Sequence, residues 1–141
     1  MVKILIINGP NLNLLGTREP EIYGRVSMEE YLQAIAVDYP NVIIDYYQSN
    51  HEGDIVDRLQ ASGFDESLTG IIINAGAYTH TSLAIADAIS AISRPVVEVH
   101  ISNIMARPEA IRHQSLIAPV CRGSIAGFGM DSYRLAIEAL L

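Results

Sequence analysis

A chain of 141 residues, half of them apolar, is long enough to bury a substantial core and too hydrophobic to remain disordered. Its net charge of −7 argues against a general nucleic-acid or anionic-membrane surface, although a few arginines can still set a local field for an anionic substrate. A lone cysteine, Cys121, leaves no disulfide framework and no cysteine-based zinc site.

Asn8 and Pro10 cut the first apolar run too short for a secretion signal, and no stretch approaches the ~20 apolar residues that span a bilayer. A cytoplasmic protein is expected. In chain order, residues 3–7 predict a strand, followed by the segment "GPNLNLLGTREPEIYG". Ser27 with Glu30 is a capping-box signature that predicts a helix over 28–38. A second strand is expected over 42–47. Ser49 or Asn50 is then expected to cap a helix running to Ser62, with Gly63 as its stop. "SNHEGD" reads as structural there, without a catalytic role for His51. A third strand, 70–74, precedes a helix over 81–92, with Thr79 as the expected cap and Ile85, Ile89 and Ile92 as its core stripe. Pro95 restarts the chain as a strand over 96–101; a weaker fifth strand, 123–126, and an amphipathic helix, 131–141, complete it.

Continuous Val/Ile runs indicate parallel strands covered on both faces. Their alternation with helices predicts an α/β fold: one domain with a flavodoxin-like, doubly wound five-stranded parallel sheet. In such sheets ligands bind beyond the carboxyl ends of the strands, at the switch point between strands 1 and 3. The segments 8–23, 74–80 and 100–112 lie there, and they hold most of the unusual polar residues.

Several familiar chemistries are excluded at those positions. No Walker loop is present, and Asn8 and Asn74 stand where a phosphorylation-receiver domain needs acids. Histidines 51, 80, 100 and 113 show no metal-ligand spacing. Lys3, the only lysine, begins strand 1 at the end remote from the expected site, which disfavours a Schiff base. Neither a metal nor a cofactor is expected.

Among the remaining residues, Arg18 and Tyr23 can form a base. An arginine ~5 Å from a phenol, at an effective dielectric of ~20, stabilises the phenolate by about 3 kcal/mol, roughly two decades of acidity. The alternative is two solvated loop residues. Glu98 and His100 share one strand face, ~7 Å apart along the strand. A carboxylate among valines is costly unless paired, so Glu98 either orients His100 and keeps its proton available as a general acid or is purely structural. His80 and Asp87, seven positions apart, are expected on one helix face away from the core, facing solvent, a ligand or a neighbouring subunit. Asn11 and Asn74 offer neutral amides to orient hydroxyls or water, and Arg107 and Arg112 offer cations suited to a carboxylate.

These residues, through "ILIINGPNLNLLGTREPEIYG", "YYQSNHEGDIVDRL", "IIINAGAYTHTSLAIADAI", "VVEVHISN" and "GSIAGFGMDSYRLAIEAL", resemble the type II 3-dehydroquinate dehydratases over most of the chain. The resemblance implies a flavodoxin-like fold and anti elimination of water from 3-dehydroquinate, serving the shikimate pathway or quinate catabolism. It implies Tyr23 as base, Arg18 as its charge partner, His100 as general acid, and Asn11 as the holder of a water against the enolate oxygen. Asn74, His80, Ile101, Ser102 and Arg112 are implied substrate contacts, the last to the carboxylate. Asp87 is implied to reach an adjacent subunit's site within a homo-dodecamer, a tetramer of trimers. One departure concerns the arginines, usually four residues apart in this family; here Arg107 and Arg112 are five apart with Pro108 between them, and with Pro108 at the first helical position Arg107 is expected outside the helix while Arg112 still reaches the site. Non-catalytic alternatives are a binding module that keeps the cleft and a scaffold whose polar residues serve only assembly.

Overall fold

The computed structural model describes residues 1–17, 21 and 26–141. Arg18 and Tyr23 therefore lie outside the described residues. Five strands, β1 (Val2–Asn8), β2 (Val42–Gln48), β3 (Gly70–Asn74), β4 (Val96–His100) and β5 (Gly123–Ala126), form one parallel sheet in the order β2-β1-β3-β4-β5. That order reverses direction between β1 and β3, where Asn8 and Asn74 stand in register as the last residue of each strand. Two asparagines thus mark the switch point at which ligands enter such sheets.

The sheet explains why the strands read as unbroken apolar runs. Ile4, Ile6, Ile72, Val97 and Val99 face one side, against Tyr31 and Ile35 of α1 (Met28–Asp38) and Tyr133, Ile137 and Leu140 of α4 (Asp131–Leu140). Leu5, Ile7, Ile71, Ile73 and Val96 face the other, against Ile55 and Leu59 of α2 (Glu52–Ser62) and Ile85 and Ile89 of α3 (Leu83–Ala91). Alternate residues serve opposite cores, so no position in the central strands can be polar without a partner.

Of the three helix caps expected from the sequence, one forms and two do not. Ser27 caps α1 as read, accepting from the Glu30 N–H at 3.1 Å while its hydroxyl donates to the Glu30 carboxylate. Neither Ser49 nor Asn50 caps α2. His51 occupies the cap position, and Ser49 accepts from the His51 N–H and donates to Asp54, turning the chain one residue earlier than the cap. Thr79 does not cap α3 either. Its hydroxyl is buried and finds no partner among the described residues, while Ser82 accepts from the Ile85 N–H at 2.9 Å. The segment Gly76–His80 is instead a 3₁₀ turn, held from a distance by the Leu116 N–H on the Thr79 carbonyl. His80 therefore precedes α3, and the expected shared helix face with Asp87 does not form.

Below the switch point runs a buried polar chain. The Tyr133 hydroxyl donates to Asn8 Oδ1 at 2.7 Å and accepts from Asn74 Nδ2 at 3.0 Å; Asn8 Nδ2 donates in turn to Tyr46. Tyr133 is fully buried, and burial drives its phenol well above the ordinary tyrosine range, so it acts as a neutral hydroxyl. In Tyr133→Phe two interior amides lose a partner. Stability is expected to fall by about 1–3 kcal/mol, read as a lower denaturant midpoint at unchanged slope.

Candidate active site

Three loops converge beyond the carboxyl ends of β1, β3 and β4. After β1, Gly9 passes so close to the β3 loop that an added Cβ would lie 2.5 Å from the Ala75 carbonyl oxygen. Its N–H donates to the Asn74 carbonyl at 2.7 Å, tying the two loops together. Asn11 adopts the left-handed conformation, φ 69°, which asparagine tolerates better than most residues. The Asn11 N–H is received by Asn50 Oδ1 at 3.0 Å, and Leu12 and Leu15 are buried in the core. The apolar residues of this loop thus anchor it, leaving Asn11 exposed on the cleft.

After β3, the Asn74 amide oxygen accepts from the Gly76 N–H at 3.2 Å, and Gly76 itself has φ 59°. The turn ends at His80, whose Nδ1 donates to the Gln114 carbonyl at 2.6 Å and so leaves Nε2 as the ring's second nitrogen.

After β4, the arginine-bearing segment is two single 3₁₀ turns, Ile104–Ala106 and Ala110–His113, rather than a helix opened by Pro108. Arg107 is extended (φ −68°, ψ 146°) because proline follows it. Its guanidinium donates to Ser102 Oγ at 3.1 Å, while Arg112 pairs with Glu109 at 3.4 Å. His113 Nε2 donates to the Arg107 carbonyl at 2.6 Å and closes the segment on itself. In this irregular backbone the five-residue spacing does not carry Arg112 away: both arginines line the cleft.

The residues brought together around this cleft are Asn11, Asn74, His80, His100, Ile101, Ser102 and Arg112, all singled out from the sequence as site residues. Arg107, offered from the sequence beside Arg112 as a cation suited to a carboxylate, lines it too. Asp87 does not. It lies exposed on α3, away from the cleft of its own chain.

Glu98 sits directly beneath His100. It is 1% exposed and His100 6%, and their contact, Nε2 to Oε2, is 2.9 Å. An ionised carboxylate only accepts, so Nε2 carries the proton and Nδ1 is the ring nitrogen uncommitted among the described residues. Hydroxyls of Ser115 and Ser124 also donate to Glu98, both at 2.5 Å. Burial alone would push this carboxyl up; the bonds from His100, Ser115 and Ser124 outweigh it and hold the group below the usual glutamate range. A carboxyl depressed in the fold stabilises it above the unfolded-state value, about pH 4, and loses that contribution as pH falls through the lower folded value. Glu98→Gln is therefore expected to cost about 3 kcal/mol at neutral pH. Urea midpoints of the two proteins should converge on acidification below about pH 4; a gap independent of pH would show that Glu98 is not held as the anion.

The sequence profile of the Dehydroquinase class II family matches residues 2–141. A 3-dehydroquinate dehydratase of Exiguobacterium is 56% identical over 141 residues, covering 99% of this chain and 94% of that protein. One from Caldicellulosiruptor bescii is 54% identical, covering 99% and 97%. Among solved structures, a type II dehydroquinase from Butyrivibrio crossotus superposes with a TM-score of 0.92 at 48% identity, covering 99% of this chain and 97% of that one. The type II dehydroquinase of Propionibacterium acnes gives a TM-score of 0.91 at 35% identity, covering 99% and 96%. With residues 2–141 matched by the family profile and 99% of its length by relatives in sequence and in fold, this chain belongs to the class II dehydroquinase family.

Proposed function

We propose that this chain eliminates water from 3-dehydroquinate to give 3-dehydroshikimate, as a metal-free hydro-lyase of the cytoplasm. The observation that carries this reading is His100, mounted on a buried anion and opening onto the same cleft as two arginines and Asn11. That arrangement offers a proton donor, a site for a carboxylate and an amide for an oxyanion around one small ring.

The Tyr23 phenolate, its acidity raised by Arg18, removes the proton alpha to the ketone. The electron pair of that C–H bond becomes an enolate, whose oxygen meets a water held by Asn11. The enolate then re-forms the carbonyl and a carbon–carbon double bond as the bond to the beta hydroxyl breaks. The imidazolium of His100 supplies the proton with which that hydroxyl leaves as water. Glu98 offsets the cation before transfer and keeps the ring orientated after it. Arg112, with Arg107 beside it, takes the substrate carboxylate; Asn74, His80, Ile101 and Ser102 fix the hydroxyls and ring. Asp87, exposed on α3, reaches the cleft of an adjacent subunit in a homo-dodecamer.

Purified protein given 3-dehydroquinate should develop the ultraviolet absorbance of a conjugated enone, insensitive to chelator and to borohydride. No enone from a folded oligomer would overturn the assignment; binding without product would select a non-catalytic module. Arg18→Ala should move the limb of the kcat/KM profile that reports Tyr23 deprotonation upward by about two pH units. An unmoved limb would remove the guanidinium from the base.

A further inference from the structure

Two serines from distant parts of the chain converge on the Glu98 carboxylate. Ser124 lies on β5, in register with Glu98, and donates to Oε1. Ser115 ends the arginine-bearing segment and donates to Oε2, the oxygen that also receives His100 Nε2. Ser115 Oγ accepts from the Ala118 N–H at 3.0 Å, which directs its own hydrogen toward the carboxylate. The neighbouring bonds of His80 to the Gln114 carbonyl and Leu116 to the Thr79 carbonyl fix this end of the segment.

We infer that Ser115 and Ser124 are positioning residues for the acid step: by donating to Glu98 they limit how strongly the carboxylate, bound at Nε2, favours the cationic ring, whose Nδ1 proton must be released. The inference rests on the dehydratase reading for the meaning of that step. Its physics is independent. When His100 is cationic, Glu98 has a positive partner; once the ring is neutral, Glu98 remains an interior anion with only hydroxyls and a neutral N–H to solvate it. Removing a hydroxyl penalises the second state more than the first, so the proton becomes harder to release. Among the described residues, the other titratable groups around the pair are His80, Arg107 and Arg112 on the cleft and the Cys121 thiol. Burial, reinforced by the charge of Glu98, pushes that thiol up to about 12, so it stays neutral.

The test follows the His100 ring by NMR across pH in Ser115→Ala and Ser124→Ala, alongside kcat and KM. Each variant should shift the ring's titration midpoint upward by about one pH unit and lower kcat about tenfold, with KM near that of the parent. Ser124→Thr, which keeps the hydroxyl, should restore the parental profile. An unchanged midpoint in both alanine variants would overturn the inference. So would a shift confined to Ser115→Ala, which would report only loosening of the arginine-bearing segment. The ring titration needs no turnover: a protein that forms no enone would refute the dehydratase reading while this measurement still decided the role of the serines.

Discussion

In His100→Asn, turnover of 3-dehydroquinate is expected to fall by about 10²–10⁴-fold, the usual worth of a positioned general acid, or about 3–5 kcal/mol of barrier. Asparagine can still donate an N–H toward Glu98 but has no proton to surrender, so the variant separates orientation from acid chemistry. KM should change little. The step that fails is departure of the hydroxyl, and the enolate forms as before. In deuterated water the enolate should therefore return to substrate, and recovered 3-dehydroquinate should carry deuterium alpha to the ketone. A parental rate in this variant would remove His100 from the mechanism.

Tyr23→Phe should lose turnover on the same scale, about 10²–10⁴-fold, for the opposite reason. Phenylalanine preserves the ring and loses only the oxygen, so substrate affinity should suffer much less than rate. Because no enolate forms, substrate recovered from deuterated water should stay unlabelled. The two variants are thus expected to be equally slow and chemically opposite in exchange. Labelled substrate from Tyr23→Phe would mean that another group removes the proton.

Much of this architecture was legible because the relevant forces are local or periodic. Unbroken Val/Ile runs marked the strands, and the capping box at Ser27 and Glu30 marked α1, since both ends of that interaction lie within one turn. The cleft was legible as a location because sheet topology places it beyond β1, β3 and β4. What escaped depends on partners remote in sequence. Thr79 looks like a cap until the carbonyl of its own residue is seen receiving the Leu116 N–H, which holds the segment in a tight turn and hands the cap to Ser82. That turn also takes His80 off α3 and leaves Asp87 behind. Ser115 and Ser124 lie 17 and 26 residues from Glu98, and Tyr133 lies 125 from Asn8, so no spacing rule connects them. The spacing of Arg107 and Arg112 misled in another way. Helical geometry was the wrong ruler for a segment that folds as two short 3₁₀ turns about Pro108.

The central claim is that a phenolate and an imidazolium act on opposite faces of one substrate ring. It is tested most directly with 3-dehydroquinate deuterated stereospecifically at the carbon alpha to the ketone. The deuterium should be lost when it lies on the face opposite the departing hydroxyl and retained in the enone when it lies on the same face. Loss of the same-face deuterium would contradict a mechanism in which Tyr23 and His100 work across the ring.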